Sequence, residues 1–407
     1  MGVDIASLAG ALDARLAASD AALAARFPGE RADRQPIHTV YVPAHRYDAD
    51  LVASWSAQAL AAVDGNAEEF GKLVGDDDIV ERVRRKLVAE PIEDLRIDFE
   101  DGYGTKPDDS EDADVAAAAA ALAGSRGAGA APPFGGIRIK SFEAPTRARS
   151  LRTLVGFLTG LGDAGGDLEN FVITLPKVTS VEQVEAMVYV CEQLERELGV
   201  SRLRFEIQVE TPQSILGPDG TALVARMIHA ADGRCSALHY GTYDYSAFCG
   251  IAAEYQSMAH PVADHAKLVM QAAAAGTGVR LSDGSTNILP VGDGDSVRAG
   301  WRLHLELVRR SLERGYYQGW DLHPAQLPTR YAATFAFYRS GFDRAAARLR
   351  DYVTEAGSAV LDEPATARAL ADYLLRAVHC GATDGDEVAG ATGLGVDELA
   401  EFARPGR

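Results

Sequence analysis

Eight short β-rich segments, each followed by a stretch of helical period, constrain this chain more than any other feature. In order they are His38–Ala44, Asp94–Glu100, Gly136–Lys140, Phe171–Val178, Leu203–Glu210, Ala237–Asp244, Gly278–Asp283 and Gly319–Pro324. Each is bounded by turn-formers or by a change of period. Between them lie amphipathic stretches such as Ser180–Glu197, with apolar residues at helical spacing. Strand alternating with helix implies a parallel sheet. Eight such units in succession favour a closed (β/α)₈ TIM barrel over an open doubly wound sheet. No GxGxxG follows the first segment, which weighs against a dinucleotide-binding fold.

The spacing assigns residues 1–36 to an N-terminal helix and linker, 37–330 to the barrel, and 331–407 to a C-terminal helical extension. Helices are expected in the extension at Thr329–Ser340, Asp343–Ala356 and Pro364–His379. Hydrophobic residues make up 47% of the 407, enough for a large core. No apolar run reaches the roughly 18 residues a membrane span needs, and the N-terminus lacks the basic start and apolar run of a signal peptide. The four cysteines (Cys191, Cys235, Cys249, Cys380) form no CxxC pair and read as reduced, buried thiols of a cytoplasmic protein. A formal charge of −19 argues against nucleic acid or an anionic membrane as partner. The acidic run Asp108–Asp114 lacks the glycine and spacing of a calcium loop and reads as an exposed loop.

Barrel enzymes build their sites at the C-terminal ends of the strands. Here those ends carry Asp98, Glu100 and Asp101 on the second, Arg138 and Lys140 on the third, and Lys177 on the fourth. Glu210 ends the fifth, Asp244 the sixth, and Asp321 with His323 the eighth. Apolar strands finishing in several neighbouring carboxylates are costly unless the charges meet a cation. A hard divalent ion such as Mg²⁺ suits them, bound by few carboxylates plus water and substrate oxygens. Taken singly, each acid could instead cap the following helix, and Arg138 could pair with Glu100 or Asp101 in the rim. Lys177 fits a rim salt bridge better than a Schiff-base nucleophile, since acids crowd it.

Together, VYVPA (40–44), DFEDG (98–102), GIRIK (136–140), LPKV (175–178), VET (209–211), YGTYDYSAFCG (240–250) and DLHPAQ (321–326) resemble, in order, the HpcH/HpaI aldolase and citrate lyase β-subunit family. The resemblance implies a metal-dependent carbon–carbon lyase, using Mg²⁺ or Mn²⁺, on a hydroxy acid or its CoA thioester. By position it implies Glu210 and Asp244 as metal ligands, Glu100 and Asp101 as holders of metal-bound water, and Arg138 as the clamp on a substrate carboxylate. Lys140 would assist that clamp. Gly357–Pro364 resembles the family's C-terminal segment with one extra residue. Its Asp362 would then act as acid or base in a neighbouring subunit, which implies a homo-oligomer; the other reading of Asp362 is a helix N-cap before Pro364.

Three departures stand out: a connection of about 50 residues between the first two strands, long for a βα crossover; Lys140 where the family has asparagine; and extra aromatics at 240–245. They sit where a CoA tail or acyl group would lie and leave CoA thioester and free acid both open. The same residues would also serve a Claisen condensation of an acyl-CoA with a 2-oxo acid, or a barrel subunit active only with partner proteins.

Overall fold

The computed structural model describes residues 3–31, 33–354 and 363–404. Eight parallel strands run β1 (His38–Pro43), β2 (Asp94–Asp98), β3 (Phe134–Arg138), β4 (Phe171–Leu175), β5 (Arg204–Val209), β6 (Cys235–Tyr240), β7 (Arg280–Ser282) and β8 (Gly319–Asp321). Neighbours in sequence pair with one another, and β1 also pairs β8. The seam between β7 and β8 closes through a parallel bridge from Ser282 to Gln318 and through Asp283 N–H donating to the Gln318 carbonyl at 2.8 Å. The molecule is a (β/α)₈ barrel.

All eight expected segments are strands, with ends displaced by a few residues. The displacement matters at β6, which stops at Tyr240: Asp244 lies in a short helix, Thr242–Phe248, not at the strand end. The long first connection is filled by the helices Leu51–Gly65, Ala67–Val74 and Asp77–Ala89. The acidic run expected as a loop opens the helix Asp108–Gly127, where carboxylates in the first turn face the positive end of the helix dipole. Its Glu111 is buried and paired with Lys140 at 2.8 Å.

Alternate strand residues point to opposite faces. Val40, Leu95, Ile97, Ile137, Ile173, Ile207 and Leu238 face the helices and form the main core. The other face is polar. Arg96 on β2 reaches Glu206 on β5 with two hydrogen bonds, Nε–Oε1 at 2.9 Å and Nη2–Oε2 at 2.7 Å, a contact only the lumen allows. Asp94, Thr174 and His239 complete this buried network. Trp320 Nε1 donates to His239 Nδ1 at 3.1 Å, so the ring proton sits on Nε2, which faces Glu206 at 3.1 Å. Burial pushes the Glu206 carboxyl up, but the Arg96 charge and the hydrogen bonds from Arg96 and His239 outweigh it and hold Glu206 well below the usual carboxylate range.

One continuous helix, Leu327–Val353, starts beside β8, packs on the helices Asp77–Ala89 and Gly294–Glu313, and carries on into the extension. The expected break near Gly341 is absent because that glycine serves packing: a Cβ there would come within 2.4 Å of the Tyr373 hydroxyl. Helices Pro364–Cys380, Gly385–Thr392 and Val396–Ala403 build a second small core around Phe342, Leu349, Leu374 and Leu399; the last two helices were not anticipated. The N-terminal helix Ile5–Arg26 forms as expected but buries none of its residues. Among the described residues no helix is long and apolar enough to cross a membrane. All four cysteines are free, and Cys249, expected to be buried, is exposed.

Candidate metal centre

The acidic centre forms where four loops meet at the C-terminal face. Glu210 follows β5 directly and is buried; Asp244 enters from the helix after β6; Glu100 and Asp101 come from the turn after β2. One carboxylate oxygen each from Asp101, Glu210 and Asp244 lie within 4.8 Å of one another. The sequence singled out Glu210 and Asp244 as the metal pair, and the structure brings them together with Asp101 as a third acid.

Glu210 is held from both sides. Its Oε1 accepts from the Lys177 backbone N–H at 2.7 Å and its Oε2 accepts from the Gln208 amide. Gly241 leaves room for it, since a Cβ at that position would come within 2.5 Å of Glu210 Cβ and 2.8 Å of its Oε2. Burial raises the Glu210 carboxyl to about 8, with Glu100 and Asp244 adding repulsion and Lys177 opposing it.

Lys177 threads the cluster from a left-handed backbone position (φ 51). Its Nζ lies 2.5 Å from Glu100 Oε1, 2.8 Å from Asp101 Oδ2 and 3.0 Å from Asp244 Oδ2. The rim salt bridge expected of it therefore forms among the acids, with one ammonium shared by three carboxylates. Asp244 Oδ2 is buried and, among the described residues, takes no hydrogen bond and is compensated only by that ammonium. Burial raises the Glu100 carboxyl and Asp101 repels it further, against Arg138 and Lys177. In Asp101 burial is outweighed by the Lys177 hydrogen bond and charge, so it lies below its ordinary value.

Arg138 ends β3 directly opposite Asp98 on β2 and spends most of its fork there, with Nε–Oδ1 at 2.6 Å and Nη2–Oδ2 at 2.7 Å. Only Nη1 is left toward the centre, 3.4 Å from both Glu100 Oε2 and Gln208 Oε1. The Tyr41 ring covers the guanidinium at 4.8 Å. Lys140, beyond the strand end, gives its Nζ to Glu111 and to the Phe99 carbonyl at 2.6 Å, and so serves the junction of β3 with the helix Asp108–Gly127. Asp321 faces outward: it is bound by His38, His304 and Arg330 and contributes nothing to the acidic centre. His323 accepts the Ala325 N–H at 3.1 Å, a capping role. Asp362 lies outside the described residues.

Sequence reasoning missed Gln208 and the Asp98 clamp. Both carried a signal: Glu206, Gln208 and Glu210 alternate along one strand face, as do Asp94, Arg96 and Asp98.

The fold and this cluster define a (β/α)₈ barrel with an acidic centre at its C-terminal face. By sequence the chain belongs to the family described as "Domain of unknown function (DUF6986)", which matches residues 16–406. No curated protein matches it. Solved structures similar to it include the citrate lyase β subunit of M. tuberculosis complexed with oxaloacetate and magnesium, at 18% identity and TM-score 0.42, covering 74% of this chain and 98% of that one. A malate synthase of Haloferax volcanii in a magnesium/glyoxylate complex matches at 14% identity and TM-score 0.49, covering 91% and 99%. An HpcH/HpaI aldolase/citrate lyase family protein of Burkholderia cenocepacia matches at 14% and TM-score 0.41, covering 72% and 90%.

Proposed function

We propose that this protein is a Mg²⁺-dependent enzyme that makes or breaks a carbon–carbon bond next to a carboxylate. The observation that carries the reading is the convergence of Asp101, Glu210 and Asp244 within 4.8 Å, with Asp244 Oδ2 buried and short of a hydrogen-bond donor. Bound there, Mg²⁺ supplies a Lewis acid for the oxygen of a 2-oxo or acyl group. Glu210 and Asp244 hold the ion, and Asp101 is the third acid within reach. Lys177 balances the acids without metal and must leave Asp101 and Asp244 for those oxygens to turn to a cation. Arg138, oriented by Asp98, offers Nη1 as a charged donor for a substrate carboxylate. Glu100, whose carboxyl is raised by burial, is placed to hold metal-bound water or carry a proton beside that group. Lys140 is assigned a structural part. Asp362 keeps its proposed role as acid or base in a neighbouring subunit, in which case the active form is an oligomer.

Titration calorimetry of Mg²⁺, with and without a 2-oxo acid, tests the assignment. Glu210→Gln and Asp244→Asn should each abolish binding with the fold intact, and unchanged affinity in both would sink it. The family resemblance favours lyase or aldolase chemistry on a hydroxy acid or its thioester. The condensation of an acyl-CoA with a 2-oxo acid uses the same residues, and assays against CoA thioesters and free acids distinguish the two.

A further inference from the structure

A cavity of about 280 Å³ opens on the underside of the barrel, at the opposite strand ends from the acidic centre. It lies where the linker after the first helix, the start of β7, the helix Pro364–Cys380 and Arg404 meet. Four guanidinium groups line it: Arg31, Arg280, Arg376 and Arg404. Among the described residues only two carboxylates answer them directly, each shared by two arginines. Asp33 takes Arg31 Nε at 3.0 Å and Arg280 Nη2 at 3.1 Å. Asp372 takes Arg376 Nε at 2.7 Å and Arg404 Nη2 at 2.6 Å. Glu30 also borders the cavity, but it is exposed and its Oε1 accepts the Gly276 N–H. A surplus of positive charge remains, in a protein whose overall charge is −19.

The decisive detail is Arg404. Its side chain is 12% exposed, and its Nε and Nη1 are buried with no hydrogen-bond partner among the described residues. Burying charged donors without acceptors is costly, and native structures seldom leave them so. Neighbouring groups register the same surplus. Burial and then Arg31 pull the Arg280 guanidinium down to about 10, and His379 beside the cavity is lowered by burial and by Arg34, Arg404 and Arg376.

We propose that this cavity is a binding site for a small multivalent oxyanion, whose phosphate or carboxylate oxygens accept from the free Nε and Nη1 of Arg404 and from its arginine neighbours. Guanidinium forks match such oxygens in a planar, two-bonded geometry. The volume sits at the small end of ligand pockets and suits a compact anion rather than a nucleotide. The cavity is walled by both the N-terminal linker and the C-terminal helices, so an occupant ties the extension to the barrel floor and stabilises the fold by mass action. The inference does not depend on the metal chemistry.

The test uses the full chain, metal-free, with inorganic phosphate and citrate as probes against sodium chloride at equal ionic strength. The expected result is a midpoint of thermal unfolding that rises with either anion beyond the chloride control, and a His379 imidazole resonance whose pKa moves up on binding. Arg404→Gln should weaken binding at least tenfold and cancel the His379 shift. Arg404→Lys, which keeps the charge beside Asp372 but loses the two free donors, should also weaken it and covers the case in which the glutamine variant misfolds. Glu210→Gln should bind as the native chain does. Tighter binding of citrate points to a polycarboxylate ligand, tighter binding of phosphate to a phosphorylated one. Midpoints that follow ionic strength alone, affinity equal to that of the native chain in both Arg404 variants, or loss of binding in Glu210→Gln would each overturn the proposal.

Discussion

Replacing Arg96 by methionine should expose how far the barrel interior depends on one buried cation. Arg96, Asp94 and Glu206 have side chains only 2% exposed, and Arg96 is the residue that pairs with both acids. Removing it strands two carboxylates, and breaking a buried pair this way costs about 3–5 kcal/mol. The structure sharpens that range. Glu206 retains His239 and the Thr174 hydroxyl, and Asp94 retains the Thr39 hydroxyl at 2.9 Å, so one carboxyl forced neutral is a fair first reckoning. Holding a carboxyl of unfolded pKa about 4.3 protonated at pH 7 costs about 1.36 kcal/mol per unit, or about 4 kcal/mol, and at pH 5 only about 1. In the native chain Glu206 is held below its ordinary value, so its contribution is full at both pH 7 and pH 5 and is lost only as pH falls from the unfolded pKa through the depressed one. In the variant the stranded carboxyl is instead forced neutral, its pKa raised, and the deficit shrinks between pH 7 and pH 5 because protonating it costs less as the solution is acidified. Urea unfolding at 25 °C should therefore give a loss of about 4 kcal/mol at pH 7 and about 1 at pH 5. With an unfolding entropy of about 2.1 cal/mol/K per residue, the former corresponds to a fall of roughly 5 °C in Tm. The triple variant Asp94→Asn/Arg96→Met/Glu206→Gln should recover most of it. A loss below about 1 kcal/mol at pH 7, or equal losses at both pH values, would refute the reasoning.

The remaining predictions concern the acidic centre. Glu210 carries its proton up to about pH 8, so Mg²⁺ binding at pH 7 should release close to one proton, and affinity should rise about tenfold per pH unit from pH 6 before levelling above 8; calorimetry in buffers of different ionisation enthalpy reads both, and a flat profile would count against Glu210 as ligand. Gly241→Ala should push a methyl into Glu210 at 2.5 Å and weaken Mg²⁺ at least tenfold, against a fold cost of about 1–3 kcal/mol, as chelator competition and thermal unfolding would show. Lys177→Met should bind Mg²⁺ about tenfold more tightly on the plateau of its pH profile, because no charge-assisted pair then has to be broken first, and that plateau should begin at higher pH than in the native chain, since the ammonium that holds Glu210 down is gone; weaker binding on the plateau would mean that the ammonium supports the ion.

How much of this fold is legible in the sequence turns on what period-2 patterns mean. Leu95 and Ile97 alternate with Asp94, Arg96 and Asp98, a pattern that in an open sheet marks one buried and one wet face. The eight segments could be found because such runs are short and punctuated by turns. That their polar face fills a closed lumen could not be seen from any one strand. It follows only once the count of eight closes the sheet, when Arg96 and Glu206 must face each other. Strand ends were misplaced where local signals compete. Residues 241–244 are compatible with extended chain, and the backbone instead turns at Gly241 into a helix that carries Asp244 to the acids. At Gly341 propensity suggested a break, whereas the Tyr373 hydroxyl needed the space a side chain would have filled.

The clustering of the acids was legible by position, and their partners were not. Counting acids at strand ends led to Glu210, Asp244, Glu100 and Asp101, because burial makes such residues expensive without a cation. It could not tell which cation each acid would meet. Register supplies that information: β2 and β3 pair Asp98 with Arg138, so the nearest carboxylate takes the guanidinium fork before any substrate can. The same pairing explains why Asp321, equally a strand-end acid, is no part of the centre. It points to the helix layer, where His38, His304 and Arg330 already satisfy it. The underside cavity lies further from what a linear reading can reach. Its four arginines come from the N-terminal linker, from β7, from the helix Pro364–Cys380 and from the residue that follows the helix Val396–Ala403, and singly each would pass for a solvated surface charge. Only the barrel floor brings them together, and only then does the shortage of acceptors around Arg404 become a physical statement about what must bind there.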